Sequence, residues 1–299
     1  YKNDNLNTYG GRLSLETDLT KGIKIGTNAS YSESKRNFSL SDEFYWYTQP
    51  FVVRPDLPIK NSAGDYNKID EIGMMGGNGL YSPNPVAMLN MKNSHESSQL
   101  LANAYAEFSI YKGLKFRADY GHTNYKYESS YFRPIITQQD QSILGESPIS
   151  TLTLWNGIYK TSTANFQVDY KLDTGKHNIN ALLGYGTERT RNVLTTLTYE
   201  GFPNDEVLNN VASAKWSSGQ NQILQKHGLN SWFTRLNYGY FNKYFAEFSF
   251  RADASSKFGH NNQWGYFPAF SAAWVASQEN FFKHFRWLDN LKFRASIGQ

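Results

Sequence analysis

The chain contains no cysteine, which removes disulfide scaffolds, thiolate metal sites and cysteine nucleophiles together. It is short of apolar bulk as well. Hydrophobic residues make up 39% of its 299 positions, below the usual globular share, and the mean hydropathy is −0.60. No run approaches the ~18 apolar residues of a helical membrane span. A strong charge of one sign is also missing. Thirty basic side chains against 26 acidic ones leave +4, too little and too scattered to argue for a nucleic-acid partner. The first residues, Tyr1-Lys2-Asn3-Asp4-Asn5, are polar with no apolar core behind them, so no secretory leader is read there. The other end, Leu291 to Gln299, stops inside what reads as a strand. We expect an internal piece of a longer protein.

What is abundant is aromatic: Phe, Tyr and Trp form 16% of the chain. Many of them fall in a period-2 alternation that recurs with regularity. Leu13, Leu15, Thr17 and Leu19 lead through Lys21-Gly22 to Ile23, Ile25, Thr27, Ala29 and Tyr31. Leu100 to Ile110 and Leu114 to Tyr120 flank Lys112-Gly113, and Ala164 to Leu172 and Ile179 to Tyr185 flank Asp173-Thr174-Gly175-Lys176. Trp232 to Tyr240 and Tyr244 to Ala252 flank Asn242-Lys243, with two further strands near Tyr266 to Ala276 and Leu291 to Ile297. That makes about ten strands of ~10 residues, long enough to cross a bilayer at a tilt and longer than the ~5–6 of globular strands.

Alternation assigns two faces. Phe166, Val168, Leu236, Tyr238, Phe248 and Phe250 share the apolar side and are expected to face lipid. Arg235, Asn237, Glu247, Arg251 and Asp253 fall on the opposite side and are expected to face a wet lumen. Connection lengths point the same way. Tight turns alternate with long stretches at Lys35 to Ser97, Asn124 to Tyr159, Arg191 to Lys226 and, shorter, Ala254 to Gly265. Membrane barrels pair short periplasmic turns with long outer loops, whereas soluble domains seldom hold such long loops. Tyr111, Tyr170, Tyr240 and Tyr244 sit beside the short turns, where an interfacial girdle belongs. The expected fold class is all-β, part of a large antiparallel transmembrane barrel. A soluble carbohydrate-binding β-sandwich also alternates and stays open as a rival.

Sites of chemistry are scarce. Gly73 to Gly79 is glycine-rich, but Leu80-Tyr81-Ser82-Pro83-Asn84-Pro85 follows where a phosphate cradle needs a helix. The six histidines include no pair at metal-ligand spacing. Asn28-Ala29-Ser30 and Asn37-Phe38-Ser39 match a glycosylation sequon, the first within a strand. Asp42-Glu43 and Asp70-Glu71 have no rigid cleft to hold them for glycoside hydrolysis. No catalysis, metal or cofactor is expected. Tyr45, Trp46 and Tyr47 in the longest loop, with Trp155 and Trp216 in the next two, are the substrate-facing candidates. Amphipathic aromatics stack on sugars or peptide side chains, although they equally well pack a loop into a cap.

From Trp232 onward the chain resembles a known family. The resemblance lies in Arg235-Leu236-Asn237-Tyr238-Gly239-Tyr240, in Phe250-Arg251-Ala252-Asp253-Ala254-Ser255-Ser256-Lys257-Phe258-Gly259, in Trp264-Gly265-Tyr266-Phe267-Pro268-Ala269-Phe270-Ser271-Ala272-Ala273-Trp274 and in Leu291 to Gln299. These stretches resemble the SusC-like (RagA-like) branch of TonB-dependent outer-membrane transporters of Bacteroidetes-type bacteria. Ala254 and Ala269 stand where that family usually has glycine and serine. The resemblance implies an N-terminal plug inside a 22-stranded barrel and an upstream TonB box, none of it in these residues. It also implies a SusD-like surface lipoprotein as lid, the TonB complex as energy source, and oligosaccharides or peptides as cargo. Residues 1–299 would then be one barrel segment in the outer membrane of a Gram-negative cell. A passive porin is the nearest alternative.

Overall fold

The computed structural model describes residues 4–38, 58–66, 84–135, 149–204, 210–282 and 289–299. Ten strands run in chain order: β1 (Asn5–Thr20), β2 (Ile23–Phe38), β3 (Lys92–Tyr111), β4 (Leu114–Arg133) and β5 (Thr151–Asp173), then β6 (His177–Glu200), β7 (Trp216–Tyr240), β8 (Tyr244–Ser255), β9 (Trp264–Val275) and β10 (Lys292–Gly298). They form one sheet in the order of the sequence, every neighbour antiparallel. A single-turn helix, α1 (Pro85–Met88), precedes β3, its first amides capped by the Asn84 side chain.

The tight turns explain the hairpins. Gly22 and Gly113 take φ of +86° and +83°, the left-handed region that costs glycine nothing. At the β7–β8 turn Phe241 and Asn242 adopt positive φ without glycine. Asparagine tolerates this and phenylalanine does so at a cost. Each turn is also fastened to the next hairpin. Ser109 N–H donates to the Gly22 carbonyl at 2.6 Å, Lys171 N–H to Gly113 at 2.8 Å, and Phe241 N–H to Lys176 at 2.8 Å.

Strand lengths correct the sequence reading. β1 to β7 run 16 to 25 residues, not about ten, and the connections shrink to residues 39–91, 134–150, 201–215 and 256–263. The ladder outruns the hydrophobic signal. In β6 the apolar alternation stops at Tyr185, yet pairing continues through Glu200. At the tight-turn end β9 and β10 are joined by residues 276–291, a longer connection than the turns beside it and the one that the spacing of the last two runs implies.

Pairing across the sheet fixes its faces. Tyr170, Val168 and Phe166 lie in register with Leu114, Phe116 and Ala118 on one side and with Ala181, Leu183 and Tyr185 on the other. That row continues through Leu236 and Phe248 to Phe270 and Ile297. The face is apolar and largely bare: Leu13 is 52% exposed, Leu183 55% and Phe270 50%. Few apolar side chains are buried among the described residues, the main cluster being Phe132, Leu152 and Phe202 near the long connections. The accessible surface of 19974 Å² is half as large again as the ~12,900 Å² expected of a compact monomer of this mass. An apolar belt of this extent needs a non-aqueous neighbour.

Candidate functional site

The opposite face is largely polar and differs between its two halves. Near the tight turns it carries a charged lattice. Glu16 accepts from Lys24 Nζ at 2.5 Å and from the Tyr105 hydroxyl. The Arg117 guanidinium lies 4.0 Å from the centre of the Tyr105 ring and bonds Asp119 Oδ1 at 2.8 Å. Farther along, Arg235 lies 3.8 Å from Glu247. Arg251 bonds Asp253 at 2.7 Å and Ser231 Oγ at 3.1 Å. The side chains of this lattice are partly to largely exposed, so each pair adds little stability on its own.

Toward the long connections the same face turns aromatic. Tyr127 stacks on His95 at 5.7 Å and on Tyr159 at 6.2 Å, and Tyr125 lies 6.0 Å from both tyrosines. Trp155 meets Tyr131 edge-on at 4.5 Å, and Tyr131 meets Phe38 at 5.6 Å. The spacing follows from the ladder: Tyr125 is opposite Tyr159, Tyr127 opposite Gly157 and Ser129 opposite Trp155. Half-buried tyrosines without nearby carboxylates offer apolar ring faces and hydroxyls together, which suits stacking with sugar rings or peptide side chains.

Glycine makes room for some of these rings. Gly26 is opposite Tyr105, Gly157 opposite Tyr127 and Gly184 opposite Phe233. A methyl group at any of the three would collide with the ring that lies over it.

The apolar face, by contrast, is edged by aromatics at two levels. Tyr111, Tyr170, Tyr240 and Tyr244 lie near the tight turns, as the sequence places them. A second level, at Tyr185, Trp232 and Tyr266, has Tyr185 and Trp232 4.8 Å apart. The eight residue steps from Tyr240 to Trp232 cover roughly 26 Å of strand, or roughly 20 Å of height at a ~40° tilt.

The sequence candidates divide accordingly. Phe166, Val168, Leu236, Tyr238, Phe248 and Phe250 fall on the apolar face, and Arg235, Asn237, Glu247, Arg251 and Asp253 on the polar one. Trp155 and Trp216 are not in loops. Trp155 is within β5 and Trp216 opens β7, bonding Glu200 through its indole N–H at 3.0 Å. The long polar ends of these strands hid that placement. Tyr45, Trp46 and Tyr47, the Gly73 to Gly79 stretch and both acidic pairs lie outside the described residues. Among the described residues no group of His, Asp and Glu is placed to hold a metal. Tyr125, Tyr127, Tyr131 and Tyr159 were missed because their segment read as a loop, although Tyr125-x-Tyr127 shows the period of a strand.

At the tight-turn end Glu279, in the β9–β10 connection, gathers three donors. The Tyr244 hydroxyl is 2.5 Å away, Lys243 Nζ 3.1 Å and the Trp274 indole 3.3 Å. The Tyr244 hydrogen bond first, then Lys243, hold its carboxyl below the usual carboxylate range.

Comparison with known proteins agrees with this wall. No protein-family model matches the chain. TonB-dependent receptor P39 of Formosa agariphila is 30% identical over 302 residues, 99% of this chain and 27% of the relative. TonB-dependent receptor SusC of Bacteroides thetaiotaomicron is 39% identical over 79 residues, 26% of this chain and 8% of its own. The solved RagAB peptide transporter superposes with a TM-score of 0.77 at 24% identity, covering 99% of this chain and 33% of that one. The chain spans less than a third of the length of the curated relatives it matches. The ten strands share the fold of part of the RagAB barrel wall and are similar in sequence to stretches of TonB-dependent receptors.

Proposed function

We propose that the protein to which this wall belongs imports large nutrients across the outer membrane of a Gram-negative, Bacteroidetes-type cell. In this reading residues 1–299 are a single barrel segment and further strands pair with the free edges of β1 and β10, since open edges of this length invite aggregation. The apolar face meets lipid, the polar face lines the lumen, and the tight turns lie on the periplasmic side. The cargo is an oligosaccharide or a peptide, drawn inward by the TonB complex and held under a SusD-like lipoprotein. Trp155 and the neighbouring tyrosines contact cargo as it descends, and Trp216, Tyr45, Trp46 and Tyr47 are further candidates for cargo contact.

One observation carries this reading: a ten-stranded sheet with one bare apolar face, similar over 99% of its length to a TonB-dependent receptor. The test is uptake of labelled oligosaccharides and peptides by cells with and without the gene, each in strains with and without TonB. Uptake that needs both supports active import. Uptake that needs the gene but continues without TonB would make the protein a passive channel.

A further inference from the structure

Past the second aromatic level, the apolar face gives way to a row of cations. Lys160 on β5 is directly opposite Arg191 on β6, and Arg191 is opposite Lys226 on β7. Arg189, two residues along, joins them on the same face. All four are exposed. Like charges placed opposite one another on a sheet repel, and a chain that only needed solubility would intersperse carboxylates. None is present. Among the described residues none of the four cations makes an ion pair. Arg189 donates to the Glu188 carbonyl at 2.9 Å and to Asn230 Oδ1 at 3.2 Å. The hollow of ≈ 590 Å³ that these cations border is also lined by His122, Ser162 and Asn230 and, among the described residues, by no Asp or Glu. Elsewhere the sheet pairs several of its charges, as in Lys35 with Glu96 on this same face and Lys115 with Glu107 on the other. Arg12, Lys126, Lys171 and Arg294 also make no ion pair among the described residues, but only in this row do cations lie directly opposite one another across three strands.

We infer that this row is a binding site for the phosphate groups of a phosphorylated glycolipid in the outer leaflet. The inference rests on the apolar face meeting lipid. Position and charge then select the occupant. Arg189 lies four residue steps past Tyr185, and Lys226 six past Trp232, roughly 10 and 15 Å higher at ~3.3 Å per residue and a ~40° tilt. Phospholipid headgroups extend only about 5–8 Å beyond the hydrocarbon. A glycolipid carries its phosphates on a bulkier saccharide, whose acyl chains would lie along Phe166, Leu183 and Trp232. Arginine and lysine together suit such a ligand, Arg as a bidentate fork and Lys as a mobile point charge.

The experiment uses the full-length protein in neutral detergent, as wild type, K160Q/R191Q/K226Q and the milder R191Q. The probes are monophosphoryl lipid A, its dephosphorylated form, phosphatidylglycerol and inorganic phosphate, read by native mass spectrometry and by the thermal midpoint. The phosphorylated glycolipid should bind wild type at least tenfold tighter than the dephosphorylated form or phosphatidylglycerol, and inorganic phosphate should not displace it. The triple variant should lose that advantage, and R191Q part of it. Without lipid both variants should melt no lower than wild type, because the repulsion is relieved. Equal binding of the two glycolipid forms, or unchanged binding by the triple variant, overturns the site. Tighter binding of phosphatidylglycerol overturns the glycolipid assignment. K24Q/K115Q alters lysines of the polar face and should leave binding intact. Loss of binding there, with none in the triple variant, would show instead that the faces were assigned the wrong way round.

Discussion

The half of the sheet beside the tight turns and the half beyond Tyr185 and Trp232 share one backbone ladder and obey different side-chain rules. In the first half the two faces differ sharply, with Phe248 and Leu236 on one and Glu247 and Arg235 on the other. In the second the faces differ less: Arg191 and Lys226 are followed by Val193 and Leu224 on one, and Thr190 and His227 share the other with stacked rings. Only the first half has its register specified by polarity, because a one-residue slip there would turn every apolar side chain to the wrong side. The second half inherits its register from the first and keeps it through hydrogen bonds and stacked rings. Its side chains are thereby released from the demands of the membrane and are available for ligands.

The largest expected effect breaks that contrast within one strand. Phe248→Arg places a cation on the apolar face and should cost roughly 2–4 kcal/mol if the site is near mid-bilayer. Ser249→Arg, on the other face, should cost far less. Reversible unfolding of the full-length variants in lipid measures both, and equal losses would refute a one-sided wall.

A smaller effect sharpens the contrast in the second half. Gly157→Ala forces the Tyr127 ring off its seat and gives up ring contacts worth about 0.5–1.5 kcal/mol. Gly11→Ala meets nothing within 4 Å and should stay within about 0.5 kcal/mol. The difference in unfolding midpoint tests whether the stacked array holds the register there. Trp155→Ala probes the array as a ligand surface. Losing one stacking ring of ~1 kcal/mol should raise the half-saturating cargo concentration about fivefold while leaving the protein folded. An unchanged uptake curve would restrict Trp155 to packing Tyr131.

The smallest effect concerns acid. The Glu279 carboxyl is held below its ordinary range by Tyr244 and then Lys243, so its contribution is complete above the ordinary carboxylate pKa near 4.5. It is lost as pH falls through the lowered value. Wild type should therefore lose its margin over Glu279→Gln on acidification below about pH 4.5. Parallel melting curves for the two proteins would rule out a role for this anchor.

How much was legible follows the same division. Ile179, Ala181, Leu183 and Tyr185 announce a strand because one face must be apolar. Thr187, Arg189 and Arg191 continue that strand without announcing it, since neither face has a partner that selects hydrophobicity. The strand count and the faces of Arg235, Glu247, Phe248 and Phe250 were therefore readable, while the upper strand ends, and with them Trp155 and Trp216, were not. The Glu279 anchor escaped for a different reason. The anchoring of Glu279 by Lys243, Tyr244 and Trp274 is a meeting of three segments that no local pattern encodes.

The glycines under Tyr105, Tyr127 and Phe233 also govern the relief of the polar face. A side chain in a strand normally stands away from the sheet, and an upright tyrosine would project as a post. Laid over a glycine, the same ring rises about one van der Waals contact, roughly 3.5–4 Å, above the neighbouring backbone. Three bulky side chains are thereby turned into paving. A body moving along this surface would find broad, low ring faces to slide across and few edges to catch on.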